Sequence, residues 1–376
     1  MTAEFDEGRP MDLIYLDFSK AFDVFPTCRL LSKLRAHRIE GNVLKWMDGW
    51  LTGRQQRVVL NGEKSDWADV TSGVPQGSVL GPIAFVIFIN DLDQGADLIK
   101  SVLKFADDTK LAHTVLNEKD RDDLQTTLNN LCDWSDKWCM RFNTGKCKVV
   151  HVGKKNNEYD YNMKGSTLGK VSEEKDIGVV VHSSLKPSRQ CASAYQAASA
   201  VLHQIVSSFH YRDRHTFLKL YKTYVRPHVE FASSSWCPWT NHDIEIIEKV
   251  QMKAVGMISG LCGNNYEEKL KELGMQSLEA RRLRYDMIET YKTIHGLNKM
   301  DKYNFFKFVN ESRVTNTRLA ADPLNLVTQR SNTEVRRNFW SQRVVGPWNR
   351  LPAEVKRACN TETFKTLYDA HVAATG

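Results

Sequence analysis

The segment Leu13–Asp23, LIYLDFSKAFD, passes from a short apolar run into a carboxylate and then into a polar turn. Its first four residues, Leu13–Leu16, are typical of a buried strand that ends at Asp17. A carboxylate at the end of a buried strand is costly unless it caps a helix, pairs with a cation or binds a metal. Asp17 is therefore the first candidate functional residue.

A second acidic segment is Phe105–Asp108, FADD, within an apolar stretch that predicts two strands over residues 102–111. Successive side chains of a strand point to opposite faces, so Asp107 and Asp108 can reach one site only from a tight turn. Such a pair alone is more often a solvated turn. Beside the end of the Asp17 strand, however, it would bring three carboxylates together. Two Mg²⁺ ions need such an oxygen-rich site to clamp the reacting oxygens of a nucleotidyl transfer.

A third segment, Ser72–Ser78, SGVPQGS, predicts a glycine-rich loop. Gly73 and Gly77 would let the backbone approach a ligand, and Gln76 offers both a donor and an acceptor. Most loops of this composition are only turns. The segment is therefore a candidate ligand-binding loop only in combination with the segments of Asp17 and of Asp107 and Asp108. The apolar run Ile83–Leu92 after it predicts a buried helix.

The rest of the chain is α/β to about residue 185 and mostly helical afterwards. We expect a first domain over residues 1–185, a helical region over 186–300 and a basic C-terminal region over 301–376. The patterns predict the following further elements: two helices within Arg29–Trp50 separated at Gly41, a hairpin at Asn61-Gly62, a helix over Glu118–Met140, strands over Lys148–Val152 and Ile177–Val181, helices over Cys191–Phe209, Asp243–Ser259 and Ser277–His295, a helix over Thr216–Arg226 that ends before Pro227, and a last helix over Ala353–Val372.

In order along the chain, the three segments resemble motifs A, B and C of reverse transcriptases, in the form found in non-LTR retrotransposons of the jockey and chicken-repeat group. The matching residues are Asp17–Asp23, Gly73–Pro82 and Phe105–Lys110. Further segments resemble motif D, a primer-contacting hairpin and the C-terminal region of that group; they are Lys137-Trp138, Phe142-Asn143, Gly145–Lys148, Glu174–Val179, Val225–Glu230, Ile247–Gln251, Phe339–Val345 and Trp348–Pro352. The resemblance thus extends over nearly the whole chain.

The resemblance implies an α+β fold: a polymerase palm, made of a small antiparallel sheet backed by helices, followed by a mainly α-helical thumb and C-terminal region. It implies an RNA-directed DNA polymerase that works with two Mg²⁺ ions. The expected partners are an RNA template, a DNA primer and deoxynucleoside triphosphates.

The resemblance also implies a role for each matching residue. The two Mg²⁺ ions would be held by Asp17, Asp107, Asp108 and the Phe18 carbonyl. The incoming nucleotide would contact Phe22, Gln76 and Gly77. The primer and template would contact Phe105, Ala106 and Gly178.

Two of the implied roles compete with ordinary structural ones. The ring of Phe22 would lie under the sugar and exclude a 2′-hydroxyl, but it could simply pack in the core. Lys146 would protonate or neutralise the leaving pyrophosphate as a general acid, and the alternative is a solvated surface lysine. Trp134 and Trp138 could be taken for base-stacking residues, but their helical spacing favours core packing.

The chain begins sixteen residues before Asp17, where the family has a fingers region with basic residues. We therefore expect an N-terminally truncated reverse transcriptase without fingers. The intact carboxylates favour an enzyme, whereas the expected truncation favours a catalytically inactive remnant that at most binds nucleic acid. A group II intron maturase is a nearer alternative, against which Lys20–Asp23 and the C-terminal segments count.

Composition constrains the function loosely. The chain has 376 residues, a formal net charge of +7 and a charged fraction of 26%, which suits a nucleic-acid partner without requiring one. The 8 cysteines include no C-x-x-C pair, which favours reduced thiols. The longest apolar run, Ile83–Ile89, is far too short to cross a bilayer. We expect an intracellular protein of the nucleus, the cytoplasm or both, without membrane association; its oligomeric state stays open.

Six arginines of the C-terminal half are candidates for sequence-independent phosphate contacts. They are Arg281, Arg282, Arg284, Arg336, Arg337 and Arg343. For any single one of them, a solvated face is the commoner alternative.

Overall fold

The computed structural model describes residues 1–209, 211, 213–261, 265–309 and 322–375. The chain divides into two compact units, Ala3–Glu174 and Lys175–Gly376. Strands and helices share the first unit and helices dominate the second, which confirms the α+β fold class. The boundaries expected at residues 185 and 300 stay predictions, and residues 310–321 of the expected third region lie outside the described residues.

The elements of the first unit follow the predicted order closely. Its helices are α1 (Thr2–Asp6), α2 (Ala21–Val24), α3 (Thr27–Ala36), α4 (Gly41–Leu51), α5 (Leu80–Ile89) and α6 (Glu118–Trp138). Its strands are β1 (Met11–Leu16), β2 (Arg54–Gln56), β3 (Val59–Leu60), β4 (Glu63–Lys64), β5 (Ala68–Val70), β6 (Ser101–Phe105), β7 (Asp108–Thr114), β8 (Lys148–Val152), β9 (Asn162–Met163), β10 (Ser166–Thr167) and β11 (Gly169–Lys170). Strands β12 (Glu173–Asp176) and β13 (Val179–His182) form a hairpin after them.

Strand β1 is at the centre of the main sheet. Within residues 1–209 this sheet has the order β11-β8-β1-β7-β6, and β1 pairs antiparallel with both β7 and β8. The short edge strand β11 pairs parallel with β8. A central strand covered on both faces needs apolar residues at successive positions, and Leu13 and Ile14 are indeed completely buried. This burial explains why the sequence shows a continuous apolar run instead of an alternating pattern.

The one carboxylate inside β1, Asp12, is fully buried and hydrogen-bonded from several sides. Its oxygens lie 2.7 Å from Nδ1 of His151 and 2.8 Å from Nδ2 of Asn156, and the Tyr161 hydroxyl donates at 2.5 Å. Burial, followed by the charge of Asp12, raises the pKa of Tyr161, so the hydroxyl stays a donor. The network compensates the burial of the carboxylate and joins β1 to the segment after β8.

The helices α5 and α6 pack beneath the sheet. Phe85 and Phe88 of α5 and Leu124 and Leu128 of α6 belong to one core cluster with Leu111 of β7. Trp134 is buried in the same cluster, and Trp138 packs against it, as their spacing predicted.

The prediction of a buried helix over Ile83–Leu92 is confirmed for only one side of α5. Val79, just before it, and Ile83 and Val86 within it are exposed, whereas Ala84 and Phe88 are buried. The helix rests on the core with one side only, and its apolar residues continue onto the solvent side.

The second unit is built mainly from helices. They are α7 (Ser188–Ser208), α8 (Arg214–Leu220), a π-helical turn (Tyr221–Val225), α9 (Arg226–Glu230), α10 (Ser233–Trp236), α11 (Asn241–Gly256), α12 (Tyr266–Glu272), α13 (Leu278–Ile294), a 3₁₀ turn (Lys302–Asn304), α14 (Glu334–Arg337), α15 (Trp340–Arg343), α16 (Val345–Arg350), α17 (Ala353–Lys356) and α18 (Thr361–Thr375). Two core clusters hold them together, one centred on α7 and α11 and the other on α13, α16 and α18.

Three predicted boundaries in this unit are wrong. Pro227 does not end a helix but lies in the first turn of α9, where its missing N–H costs nothing. The predicted strand over Ile177–Val181 starts only at Val179, because Ile177 and Gly178 form the turn before it. The last helix is broken into α17 and α18.

Two further properties bear on earlier expectations. None of the helices in the described ranges is both long enough and apolar enough to cross a membrane. The cysteines of the described part are free thiols, and Cys262 lies outside it.

The folded first unit should show a pH dependence that originates at Glu4. Burial alone would raise the pKa of Glu4, but hydrogen bonds from Lys100 and Arg9 outweigh it and lower the pKa from 4.5 to about 2. A carboxylate with a lowered folded-state pKa stabilises the fold above its unfolded-state pKa and loses that contribution as the pH falls toward the folded-state value. Glu4→Gln should therefore lower the free energy of unfolding at neutral pH, and the difference from wild type should shrink between pH 4.5 and about pH 2.

Urea denaturation of both proteins over a pH series measures this difference. Glu7→Gln, at a position on the same segment whose side chain is 53% exposed, serves as the control and should show little change at any pH. A Glu4→Gln difference that stays constant across the whole pH range would contradict the assignment.

Candidate functional site

The strand register brings Asp17 to the turn that carries Asp107 and Asp108. Strands β1 and β7 pair Leu16 with Thr109, so the same register continued by one residue sets Asp17 opposite Asp108. Strands β6 and β7 pair up to Phe105 and Asp108, which leaves Ala106 and Asp107 as the turn. The predicted meeting of a strand end with a tight acidic turn is therefore present in the backbone.

The turn itself is strained. Ala106 has a φ of +52°, in the left-handed region that residues with a Cβ rarely adopt. A positive φ at the first of two turn residues is a feature of type II′ hairpins, which normally place glycine there. Strain of this kind persists where the surrounding structure enforces it, often at functional sites.

The side chain of Asp17 pairs with Lys146. Its Oδ2 lies 3.0 Å from the Lys146 ammonium, and the two side chains are 27% and 69% exposed. Backbone bonds hold the two together: the Asn143 amide donates to the Asp17 carbonyl at 2.8 Å, and the Lys146 amide donates to the Asn143 carbonyl at 2.9 Å. The Lys146 side chain is thus exposed, and both its ion pair and the backbone bonds at Asn143 keep it next to the Asp17 carboxylate.

Cys147 makes a further contact with the backbone of Asp17. Its sulfur lies 3.9 Å from the Asp17 carbonyl oxygen, and burial raises the pKa of its thiol. The thiol therefore stays protonated and can donate a weak bond to that carbonyl.

Phe18 is held against Phe142, which lies in the segment after α6. It forms an isolated bridge with Phe142, and their rings stack at 4.2 Å. The two backbone bonds around it use the Asp17 carbonyl and the Ser19 amide, which donates to the Arg141 carbonyl at 2.7 Å. Neither bond uses the Phe18 carbonyl oxygen.

The oxygen donors at this end of the sheet suit Mg²⁺, but their side chains are not gathered around one point. Among the described residues, no three His, Cys, Asp or Glu side chains lie close enough together to hold a metal ion. Adjacent carboxylates repel one another, and Asp17 pairs with Lys146 instead. The backbone positions of Asp17, Asp107 and Asp108 fit the predicted metal site, whereas the side chains would have to turn to complete it.

The glycine-rich loop docks directly on the segment after Asp17. The Gly73 amide donates to the Phe25 carbonyl at 2.9 Å, and the Val74 amide donates to the Phe22 carbonyl at 3.0 Å. The Ser72 hydroxyl donates to the Asp23 carbonyl at 2.6 Å. Gly73 is needed here because a Cβ at this position would lie 2.3 Å from the Phe22 carbonyl oxygen. The glycine-rich loop Ser72–Ser78 and the segment that follows Asp17 are therefore packed together as one unit.

Gln76 and Gly77 lie at the exposed rim of this loop. The Gln76 side-chain amide donates to Oδ1 of Asp23 at 2.9 Å. Asp23 is thus a positioning residue for Gln76 that sequence reasoning missed, although it is part of the quoted motif. The sequence gives little indication of this hydrogen bond, because Asp23 and Gln76 are far apart along the chain.

A second missed residue is Arg54, at the start of β2. Its guanidinium donates to the Ser72 carbonyl at 2.9 Å, to the Gly73 carbonyl at 2.7 Å and to the Leu51 carbonyl at 2.9 Å. Burial lowers the pKa of Arg54. Nothing in the local sequence distinguishes this arginine from a solvated one, yet it braces the loop that carries Gln76.

The remaining predicted residues are placed as follows. The half-buried ring of Phe22 lies 4.5 Å from that of Phe85, a contact compatible with both its proposed role and core packing. Phe105 is exposed at the end of the edge strand β6. Gly178 is in the second unit, in a turn with Ile177 in which both residues have positive φ, as a type I′ hairpin requires. The functional roles of all these residues stay predictions.

The part of the chain that contains Asp17, Asp107 and Asp108 is similar to proteins of a known family. Residues 7–187 match the family described as "Reverse transcriptase (RNA-dependent DNA polymerase)". The RNA-directed DNA polymerase from mobile element jockey of Drosophila funebris is 26% identical over 260 residues, 65% of this chain and 28% of that protein. The probable RNA-directed DNA polymerase from transposon X-element of Drosophila melanogaster is 24% identical over 264 residues, 68% of this chain and 29% of that protein.

These alignments cover less than a third of the length of either relative. Among solved structures, telomerase from Candida albicans in complex with a fragment of telomeric RNA overlays with a TM-score of 0.40 and 11% identity. That overlay covers 74% of this chain and 54% of the telomerase chain. A likeness at this level is too distant to assign any residue.

Proposed function

We propose that this chain, whose residues 7–187 belong to the reverse transcriptase family, carries the polymerase site of an RNA-directed DNA polymerase from a non-LTR retrotransposon. The observation that carries the proposal is the meeting of Asp17 with the Asp107-Asp108 turn at one end of the central sheet. The RNA template, the DNA primer and the deoxynucleotides are part of the proposal. An intracellular location, nuclear or cytoplasmic, stays a prediction from the sequence.

The proposed reaction is template-directed nucleotidyl transfer. The 3′-hydroxyl of the primer attacks the α-phosphorus of a deoxynucleoside triphosphate; a phosphodiester bond forms, and the bond to pyrophosphate breaks. Asp17, Asp107, Asp108 and the Phe18 carbonyl would hold two Mg²⁺ ions, which stabilise the charge on the attacking and leaving oxygens when bound.

The protein's own groups position the reactants. The loop bearing Gln76 would lie along the nucleotide and template, and it is fixed by Asp23 and Arg54 through the bonds described above. A site held by such contacts keeps its geometry without reorganisation during the reaction. The exposed ammonium of Lys146 would neutralise or protonate the leaving pyrophosphate.

A catalytically inactive remnant is the second candidate. The observation on its side is the ion pair between Asp17 and Lys146, 3.0 Å apart, which engages a carboxylate that the polymerase would need for a metal ion. Primer extension on an annealed RNA template, measured together with binding of the primer–template by fluorescence anisotropy, separates the two candidates. Extension by wild type that is lost in Asp107→Ala, with binding retained in both, supports the polymerase. Binding without extension by wild type supports the remnant.

Phe22→Ala should relax the selection of the nucleotide sugar. If the ring excludes a 2′-hydroxyl, its removal should raise the kcat/KM for ribonucleotides relative to deoxynucleotides by roughly tenfold or more. If Phe22 serves only to pack on Phe85, the variant should lose stability while the ratio of the two kcat/KM values stays unchanged. Single-nucleotide incorporation with each nucleotide type measures the ratio, and urea denaturation measures the stability.

A further inference from the structure

The side chain of Gln76 is bound to a partner that can only accept hydrogen bonds. Its amide nitrogen donates to Oδ1 of Asp23 at 2.9 Å. An ionised carboxylate has no proton to donate, so the amide cannot turn round and offer its oxygen to Asp23 instead. The amide oxygen, Oε1, accepts no hydrogen bond from the part of the chain that the structure describes. Because nitrogen and oxygen lie on opposite sides of the amide carbon, the oxygen of Gln76 is the end directed away from Asp23.

The backbone around Asp23 is attached to the loop that carries Gln76. The Ser72 hydroxyl donates to the Asp23 carbonyl at 2.6 Å, and a Cβ at Gly73 would lie only 2.6 Å from the Cα of Asp23. Asp23 therefore cannot leave Gln76 without moving the loop. A side chain whose support is fixed in this way can hold a neighbouring group in one orientation.

The rim of the loop next to Gln76 is open to a ligand. Gln76 and Gly77 are both exposed, and a Cβ at Gly77 would meet no atom within 4 Å. A ligand that approaches this rim meets the amide oxygen of Gln76, which can only accept a hydrogen bond. The ligand must therefore bring a donor.

Sugar hydroxyls are the donors of nucleotides and nucleic acids that fit this acceptor best. Phosphate groups present acceptor oxygens, and the amino groups of the bases differ from one base to the next, whereas a template-directed enzyme has to accept all four bases. Hydroxyls of the sugar do not depend on the base. The loop also lies next to Phe22, because the Val74 amide donates to the Phe22 carbonyl at 3.0 Å, and Phe22 is the residue expected under the incoming sugar.

We propose that Asp23 is a specificity-determining positioning residue, which makes Gln76 present its amide oxygen to a sugar hydroxyl. The hydroxyl is either the 3′-hydroxyl of the incoming nucleotide or a 2′-hydroxyl of the RNA template, the group that distinguishes RNA from DNA. This inference rests on the proposed function, because it assigns a ligand group to the loop of the same site.

The contact itself is tested without any nucleic acid, by NMR of the side-chain amides in the nitrogen-15-labelled full chain. The signal of Gln76 is identified by its loss in Gln76→Met. Asp23→Ala removes the acceptor and should shift this signal. An unchanged Gln76 signal in Asp23→Ala would overturn the proposal, because Asp23 would then not hold the amide.

Asp69 provides a matched control, because the Gln55 amide donates to its Oδ1 at the same distance of 2.9 Å. This pair joins β2 and β5 and lies outside the glycine-rich loop. Asp69→Ala should shift the signal of Gln55 and leave that of Gln76 in place.

Ligand preference is then measured as binding, with a primer that lacks its own 3′-hydroxyl so that no bond can form. The dissociation constants of a deoxynucleoside and a dideoxynucleoside triphosphate are compared in the presence of Mg²⁺, on an RNA and on a DNA template of the same sequence. Wild type should bind the partner with the additional hydroxyl roughly 3–10-fold more tightly, which is the contribution of one hydrogen bond. Preference for the deoxynucleotide identifies the 3′-hydroxyl, and preference for the RNA template identifies the 2′-hydroxyl.

The variants show whether this preference depends on the orientation of Gln76. Asp23→Ala should lose the preference, and Asp69→Ala should keep it. Asp23→Asn combined with Gln76→Glu exchanges the donor and acceptor sides of the pair at the same net charge and leaves a carboxylate oxygen at the rim, so this double variant should recover the preference.

Two outcomes of the binding measurement overturn the proposal: a wild type with neither preference, and an Asp23→Ala variant that keeps the preference of wild type. Failure of the proposed function gives a different result. If Asp23→Ala shifts the Gln76 signal but wild type binds no primer–template, the polymerase assignment is refuted, and the sugar hydroxyl as the ligand group is refuted with it.

Discussion

Gly73→Ala is expected to lower the free energy of unfolding by about 2–5 kcal/mol and to abolish any activity of the site. The added Cβ would lie 2.3 Å from the Phe22 carbonyl oxygen and 2.6 Å from the Cα of Asp23. Both are backbone atoms, so relief requires the loop to leave its place. Overpacking of this kind costs about 1–3 kcal/mol, and the φ of +66° adds about 1–2 kcal/mol for a residue with a Cβ.

Gly77 of the same loop provides a matched control. Its φ is +78°, but a Cβ there would meet no atom within 4 Å. Gly77→Ala should therefore cost only the conformational part, about 1–2 kcal/mol. Urea denaturation of the two variants measures both values. Equal losses would show that contact with the Phe22–Asp23 backbone is not what fixes Gly73.

Asp17→Asn is expected to lower primer extension about a thousandfold, which corresponds to about 4 kcal/mol of transition-state stabilisation. Asparagine keeps the size of the side chain but removes the charge that a metal ligand at this position supplies. Stability should change little, because the Lys146 side of the ion pair is 69% exposed and ion pairs open to solvent contribute about 0–1 kcal/mol. Lost activity with retained stability is the signature of a group that acts in the reaction.

The control for this prediction is Asp69→Asn. Asp69 is exposed on β5 and accepts a hydrogen bond from Gln55 at 2.9 Å. The variant should keep both the extension rate and the stability of wild type. If Asp17→Asn extends primers as wild type does, Asp17 is not part of the site.

The elements around the site could be predicted from the sequence because their signals are local. An apolar run that stops at Asp17 and an acidic pair between two apolar stretches each describe one strand end. The observed strands Met11–Leu16, Ser101–Phe105 and Asp108–Thr114 follow from those patterns within a few residues.

The contacts that fix the site could not be predicted, because they join residues far apart in the chain. Arg54 reaches the carbonyls of Ser72 and Gly73, and Gln76 reaches back to Asp23. A lone arginine after a helix gives no sign of such partners. Arg282 illustrates the same limit. Its sequence neighbours Arg281 and Arg284 form ion pairs with Glu230 and Asp369, whereas Arg282 itself is buried and not on the solvated face that was expected.

The most direct test of the central claim is incorporation of a single nucleotide. The chain is mixed with Mg²⁺ and a DNA primer annealed to an RNA template, and each deoxynucleoside triphosphate is offered separately, with Asp107→Ala in parallel. The account predicts that wild type adds only the nucleotide complementary to the template base and that Asp107→Ala adds none while still binding the primer–template. No addition by wild type with the primer–template bound, or equal addition by the variant, would contradict it.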